Sequence, residues 1–460
     1  MEDNNMKAYS ILFIICFSII GAQVPDDAIN FYNDADGIGA RAQAMGNAFV
    51  GIADDYSATY WNPAGLAKMQ KSELTGDFNY LRFNNSTTYL GSISVDDQKM
   101  TKLNAIGLAY KFPTTRGSLV MSVGYNRFKN YDSYLNLSGY SSQSNDLGFE
   151  LEDDAGSWDI YHFDQNVQQN EKIIEDGYMS ITSIAAGLAM SPRFYLGLAL
   201  NFHGGYHHYL FDYSQTDVDN IYNQFPADFY QYSQHQSIKS KFKGFNIKVG
   251  SMFLLTDELF LGLAIDLPTS IHVREIYTAN DVLTFDDGYV SDMDLGAGEW
   301  EYQINYPYKI SGGIALDLKK VLLGASCEYI DWSSAQFDIP EGYSLSQDYR
   351  DMLAENVYFQ EDFRPVFAYS GGGELRIFGS GLKLRGGYRY VPSPYSGADK
   401  NLDRQYYSAG FGFEFDQNAE LNASYTKGFF KRDSYDYLTP AIAHEKITSE
   451  RIQAGLTYRF

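Results

Sequence analysis

The chain has 460 residues and a formal charge of −23, with 39 Tyr, 31 Phe and 41 Gly against 7 His and 2 Cys. That acidity excludes nucleic acid as a partner, since phosphate binding needs a basic surface, and no linker or low-complexity tract divides the chain into soluble domains of ordinary size. Abundant Tyr and Phe favour strands, with Gly at bends and close approaches.

From Met6 the sequence reads MKAYSILFIICFSIIGAQ: one lysine, an apolar run over 11–20, then Gly21 and Ala22. This is the layout of a secretory signal peptide over residues 1–22, too short to span a bilayer. Cleavage after Ala22 would remove Cys16 and leave Cys327 alone, so no intrachain disulfide is expected. Beyond it no apolar run approaches the ~18 residues of a spanning helix.

Residues 23–70 contain GARAQAMGNAFVGIADDYSATYWNPAGL over 39–66. Strand formers are too few here, whereas Gly37, Gly39, Ala40, Ala42, Ala44, Gly46 and Ala48 permit tight helical turns and close approach to a wall. GIGARAQAMG begins like a dinucleotide fingerprint, but Ala42 holds the third glycine position and no strand precedes it.

From about residue 71 the texture becomes alternating. Phe194, Leu196, Leu198, Leu200 and Phe202 oppose Tyr195, Gly197, Ala199, Asn201 and His203; Tyr407, Ala409, Phe411, Phe413 and Phe415 oppose Ser408, Gly410, Gly412 and Glu414. One face is apolar and the other small or polar, as expected of a transmembrane barrel with a wet lumen. Short connections near 113–117, 191–193, 256–258, 318–320, 379–381 and 416–418 alternate with long ones near 130–177, 212–240, 277–305, 336–362, 391–403 and 432–446. This predicts an all-β antiparallel barrel of about 14 strands over 71–460, with short periplasmic turns and long extracellular loops. Residues 86–95 either extend the first two strands or form a hairpin of their own. The last strand places Ile452, Ala454, Leu456, Tyr458 and Phe460 on one face.

A barrel this wide would leak, so residues 23–70 are expected either to hang free in the periplasm or to fold into the lumen as a plug. Lys383, Arg385 and Arg389 fall on the luminal face, where they could draw in a carboxylate or pair with acids such as Glu374 and Glu414. His203 and His207 lie ~13 Å apart along a strand, too far for one ion, so these and His208 are expected to be lining rather than a metal site. Asp153-Asp154 and Asp286-Asp287 are solvated loop charge or cation sites bridging lipopolysaccharide. There is no GxSxG, HExxH or P-loop. No enzyme activity, cofactor or metal is expected.

Gly39-Ala40-Arg41, Gly46, Ile52-Ala53-Asp54-Asp55 and Asn62-Pro63-Ala64 resemble, in order and spacing, the hatch of the FadL-type outer-membrane transporters of long-chain fatty acids and other hydrophobic compounds. Tyr458 and terminal Phe460 resemble the signature read by the barrel-assembly machinery. The resemblance implies a monomeric barrel in the outer membrane, with 23–70 as a luminal hatch. Hydrophobic ligand would be captured from outside and released sideways into the lipid beside a kinked third strand. That strand is placed at 118–129, with Gly124 and Asn126 as the cheapest place to kink. Two other classes carry similar features: a PorV-like secretion shuttle, and an outer-membrane enzyme or adhesin.

Overall fold

The computed structural model describes residues 11–12, 24–33, 36–439 and 441–460. The predicted signal peptide, 1–22, lies outside them apart from Ile11 and Leu12. Fourteen strands close into one antiparallel barrel: β1 (Glu73–Tyr89), β2 (Ser92–Phe112), β3 (Leu119–Asn130 and Ser133–Ser141), β4 (Val167–Ser191), β5 (Phe194–Thr216), β6 (Phe229–Leu254), β7 (Leu259–Asp266 and Thr269–Phe285), β8 (Val290–Tyr306 and Lys309–Leu318), β9 (Val321–Asp331 and Gln336–Asp338), β10 (Pro365–Ile377), β11 (Leu382–Val391), β12 (Arg404–Glu414), β13 (Ala419–Ser434) and β14 (Ala443–Arg459). The β1–β14 ladder, from Glu73 opposite Arg459 to Thr88 opposite His444, joins the ends. Pro268 and Pro307 interrupt β7 and β8 side by side, because proline has no donor for the ladder.

The alternation read from the sequence sorts side chains as expected. Leu198, Phe202, Phe411, Phe415, Ile452, Leu456, Tyr458 and Phe460 all stand exposed on the outer wall. An apolar outer band is what lipid requires. Residues 86–95 extend β1 and β2, which turn at Leu90 and Gly91. The spans 212–240 and 277–305, expected to be loops, are mostly strand: β6 runs for 26 residues, where ~9–11 cross a bilayer. Beyond the lipid both faces of a ladder can be polar, so the alternation fades while the hydrogen bonds continue.

Residues 25–68 fold inside the lumen as α1 (Pro25–Tyr32), α2 (Ala40–Ala44), α3 (Ala58–Trp61) and a 3₁₀ turn over Pro63–Lys68. From the extracellular side the β9–β10 loop sends α4 (Gln347–Ala354) and α5 (Asn356–Asp362) inward, and α5 packs on α1. Ile29, Phe31, Phe49 and Trp61 of the hatch share one buried cluster with Phe128, Phe242, Tyr302 and Trp332 of the wall and Phe359 of α5. The lumen is therefore a packed core at this level, not the wet lining expected, because the hatch supplies the apolar partners that the wall alone lacks.

Candidate functional site

Asn62, Pro63 and Ala64 stand where the hatch leaves α3. Asn62 is fully buried, and its side-chain oxygen accepts from Ala64 N at 3.2 Å while its amide donates to Val50 O at 3.1 Å and to Ser251 O of β6 at 3.0 Å. One side chain thus ties the exit turn, the middle of the hatch and the wall. Gly187 of β4, Gly197 of β5 and Gly250 of β6 are direct cross-strand partners beneath this corner. A Cβ on Gly197 would lie 2.2 Å from Ala64 N. Across the barrel, Gly372 of β10 and Gly387 of β11 pair with each other and receive Met45 and Gly46. Gly46 has φ +63°, and a Cβ there would meet Tyr388 N at 2.5 Å. Many of the small luminal residues that suggested water are points where hatch backbone meets wall backbone.

The separated motif pieces Gly39-Ala40-Arg41 and Asp54-Asp55 converge. Arg41 is 2.5 Å from Asp54, 3.4 Å from Asp55 and 3.1 Å from Glu374 of β10. Burial works against both charges of the first pair, but the facing opposite charges outweigh it: the Asp54 carboxyl is held below its ordinary value and the Arg41 guanidinium above. Arg385 joins the same network through Glu374 (2.8 Å) and Glu420 (3.4 Å), and Lys383 through Glu414 (2.7 Å) and Glu420 (3.1 Å). Both candidates for a ligand carboxylate are thus paired with wall acids, as the alternative reading had it, and Arg385 shares Glu374 with Arg41 of the hatch.

Arg389, the third candidate, lines a different space. A cavity of about 60 Å³ is bounded by Tyr32, Tyr60, Phe128, Ile181 and Trp332, with Lys248, Asp266, Lys309, Glu328 and Arg389 among its polar wall. A second, of about 180 Å³, lies around Phe31, Tyr131, Lys129, Asp132 and Arg451. α1 contributes to both, held by bonds from Tyr306 OH to Ala28 O (2.6 Å) and from Tyr131 OH to Phe31 O (2.7 Å).

The wall is not evenly sealed. β2 and β3 are paired only from Phe112–Leu119 to Ala105–Asn126. Above that rung, 92–104 of β2 pairs with β1 alone among the described residues. β3 shifts register against β4 between Arg127 and Lys129, breaks after Asn130, and its second piece packs Leu135 and Leu137 against Tyr89. Side chains bridge the parted edges, chiefly an ion pair between Lys102 and Asp132. At the fork stands Tyr56 of the hatch, whose OH donates to Asn126 at 3.1 Å. Its ring covers the paired Gly107 and Gly124, where a Cβ would come within 1.9 Å of it. Gly124 and Asn126 are thus the seat of Tyr56, and the irregularity in β3 follows at Phe128. Tyr56 was missed because one tyrosine among 39 carries no local signal.

The histidines diverge. His203 and His207 lie against Phe128 and Phe31, while His208 sits 3.3 Å from Asp176; among the described residues no group could hold a metal ion. Asp153 and Asp287 accept from backbone amides of their own turns. Tyr458 and Phe460 stack on the outer wall at 6.3 Å, and Phe460 and Ser72 exchange backbone hydrogen bonds at 3.0 and 3.1 Å.

Residues 190–450 match the family described as outer membrane protein transport protein (OMPP1/FadL/TodX). Solved structures share the fold at low identity. The Pseudomonas putida toluene transporter TodX is 12% identical with a TM-score of 0.58, over 93% of this chain and 99% of that one. A Pseudomonas aeruginosa FadL homologue is 14% identical at 0.58, over 94% and 100%. The Ralstonia pickettii toluene transporter TbuX is 12% identical at 0.53, over 93% and 99%. No curated protein sequence matches the chain. The family match sets aside the enzyme alternative: the chain belongs to the OMPP1/FadL/TodX family of outer membrane transport proteins.

Proposed function

We propose that the cargo is an amphipathic long-chain carboxylate, taken up from the extracellular side and released sideways between β2 and β3, with the hatch governing the exit. The observation that carries this reading is the fork: the β2–β3 ladder ends at Ala105–Asn126, on the rung that Tyr56 of the hatch grips. An acyl chain gains about 0.8 kcal/mol per CH₂ removed from water, so a path from an apolar lumen directly into lipid avoids a large barrier. The chamber under α1 supports a charged head group, because Lys248, Lys309 and Arg389 share it with two carboxylates. TodX and TbuX are toluene transporters, and toluene has no such group.

The test compares uptake of a labelled long-chain fatty acid with that of toluene, in cells lacking their own transporters. Lys309→Gln combined with Arg389→Gln should lower fatty-acid uptake and spare toluene. Equal loss of both, at normal heat-modifiable migration, would show that the cations are structural.

A further inference from the structure

The outer face of β6 carries His235, Lys239, Lys241 and Lys243 above Phe245, Val249 and Phe253, all seven exposed. Phe245 lies 5.3 Å from Phe202 of β5, which marks the upper edge of the lipid-facing band. The lysines therefore begin at the level of the outer-leaflet head groups. Lys241 belongs to a rung that runs directly across five strands: Tyr178 of β4, Tyr206 of β5, Lys241, Arg274 of β7 and Glu301 of β8 are successive cross-strand partners. Tyr178 and Tyr206 pack at 5.2 Å, as in an interfacial aromatic girdle, and Arg127 of β3 stands 3.9 Å over the Tyr178 ring. Beside Lys243 the facing residue of β5 is Gly204, so the wall is bare there.

Alternate residues on one face of a strand are ~6.7 Å apart, so the three lysines repel one another. Of the nearby carboxylates, Glu299 and Glu301 hold Arg274, while Glu301, Asp176 and Asp212 face the imidazoles of His272, His208 and His235. Among the described residues none lies within ion-pair distance of Lys239, Lys241 or Lys243. On the opposite wall Asp97 holds Arg82 and Lys99, and Glu450 holds Lys427, while Lys431 and Lys446 form one exposed cross-strand pair above them. In a chain of net charge −23, an aligned run of lysines without carboxylates is a cost to the fold that an external anion would relieve.

We infer that the β5–β7 face is a binding site for the phosphorylated head group of an outer-leaflet glycolipid of the lipid A type. The lysines meet phosphate, the Tyr178–Tyr206 girdle meets sugar, and the apolar band below receives the acyl chains. Basic residues near a membrane surface each add to the attraction for anionic lipid.

Native mass spectrometry of the purified full chain with added lipid A tests the site. Lys239→Gln/Lys241→Gln/Lys243→Gln should weaken binding by about a hundredfold, and the triple Lys→Arg variant should retain it. Lys99→Gln/Lys427→Gln, on the wall where the charges are already paired, should bind like the unaltered protein. Undiminished binding by the triple Gln variant would overturn the proposal. So would equal loss in the β2–β13 control, or equal binding of enzymatically dephosphorylated lipid A. Heat-modifiable migration establishes that each variant is folded.

Discussion

The lower and upper halves of the lumen hold the same hatch by different means. Below, Met45–Gly46 and Pro63–Ala64 press on paired wall glycines, and Arg41 is clamped among Asp54, Asp55 and Glu374. Above, α1 is held by tyrosine hydroxyls and aromatic edges beside two cavities, and the wall between β2 and β3 is joined by side chains alone. Contact between backbones leaves no slack, whereas contacts between side chains can be remade by rotamer changes. The lower half is built to stay and the upper half to yield.

The largest effect should come from removing both halves at once. Deletion of residues 23–69 should give a barrel that still assembles, since the ladder and Phe460 remain, but that conducts ions freely in planar bilayers. A truncated barrel as tightly closed as the intact one would mean that the segment is not a plug. The lower seat alone is attacked by Gly197→Val, whose Cβ falls 2.2 Å from Ala64 N. Overpacking at this point should weaken hatch docking by about 3 kcal/mol, read as a leak conductance. Gly312→Val, with nothing within 4 Å of its Cβ, should leave conductance unchanged; equal leaks in the two variants would deny the seat.

The smallest effect concerns the upper half. Asp27, on α1, opens into the luminal cavity around Phe31 and is pushed from 3.8 to about 7, first by loss of surrounding water inside the barrel, then by Glu275, Glu175 and Asp26. A raised carboxyl favours the folded arrangement when protonated. The contribution is full below about pH 4 and is lost as pH rises through about 7. The protection factors over 25–32, with the intrinsic pH dependence of amide exchange divided out, should therefore be higher at pH 5 than at pH 8, and Asp27→Asn should abolish that difference. An unchanged pH dependence in that variant would remove Asp27 from the account.

Much of this was legible in the sequence. The alternation at 194–202, 407–415 and 452–460 sorted the wall correctly, because lipid imposes a two-residue period that nothing else in the strand overrides. The hatch motif was legible because Arg41, Asp54 and Asp55 form one ion-pair cluster and Asn62 satisfies three backbone groups, so each piece is fixed in spacing. The extents of β5, β6, β7 and β8 were not, since outside the bilayer the ladder continues without an apolar face. The pairing of Lys383 with Glu414 and of Arg385 with Glu374 was legible beside the ligand reading, but not that Arg41 of the hatch shares Glu374 or that Glu420 reaches both cations, since strand register shows only that they face the lumen. The fork at Tyr56 depends on a contact 70 residues apart in the chain, which local pattern cannot reveal.

If cargo leaves through the β2–β3 opening as proposed, stitching that opening shut should stop transport. Lys102 and Asp132 form the ion pair across it, so Lys102→Cys/Asp132→Cys in a Cys327→Ser background, treated with a short reducible thiol cross-linker, would tether the two edges. Uptake of a labelled long-chain fatty acid in cells lacking their own transporter should fall to background on cross-linking and return on reduction. Uptake that continues at full rate with the cross-link confirmed by mass spectrometry would contradict lateral release.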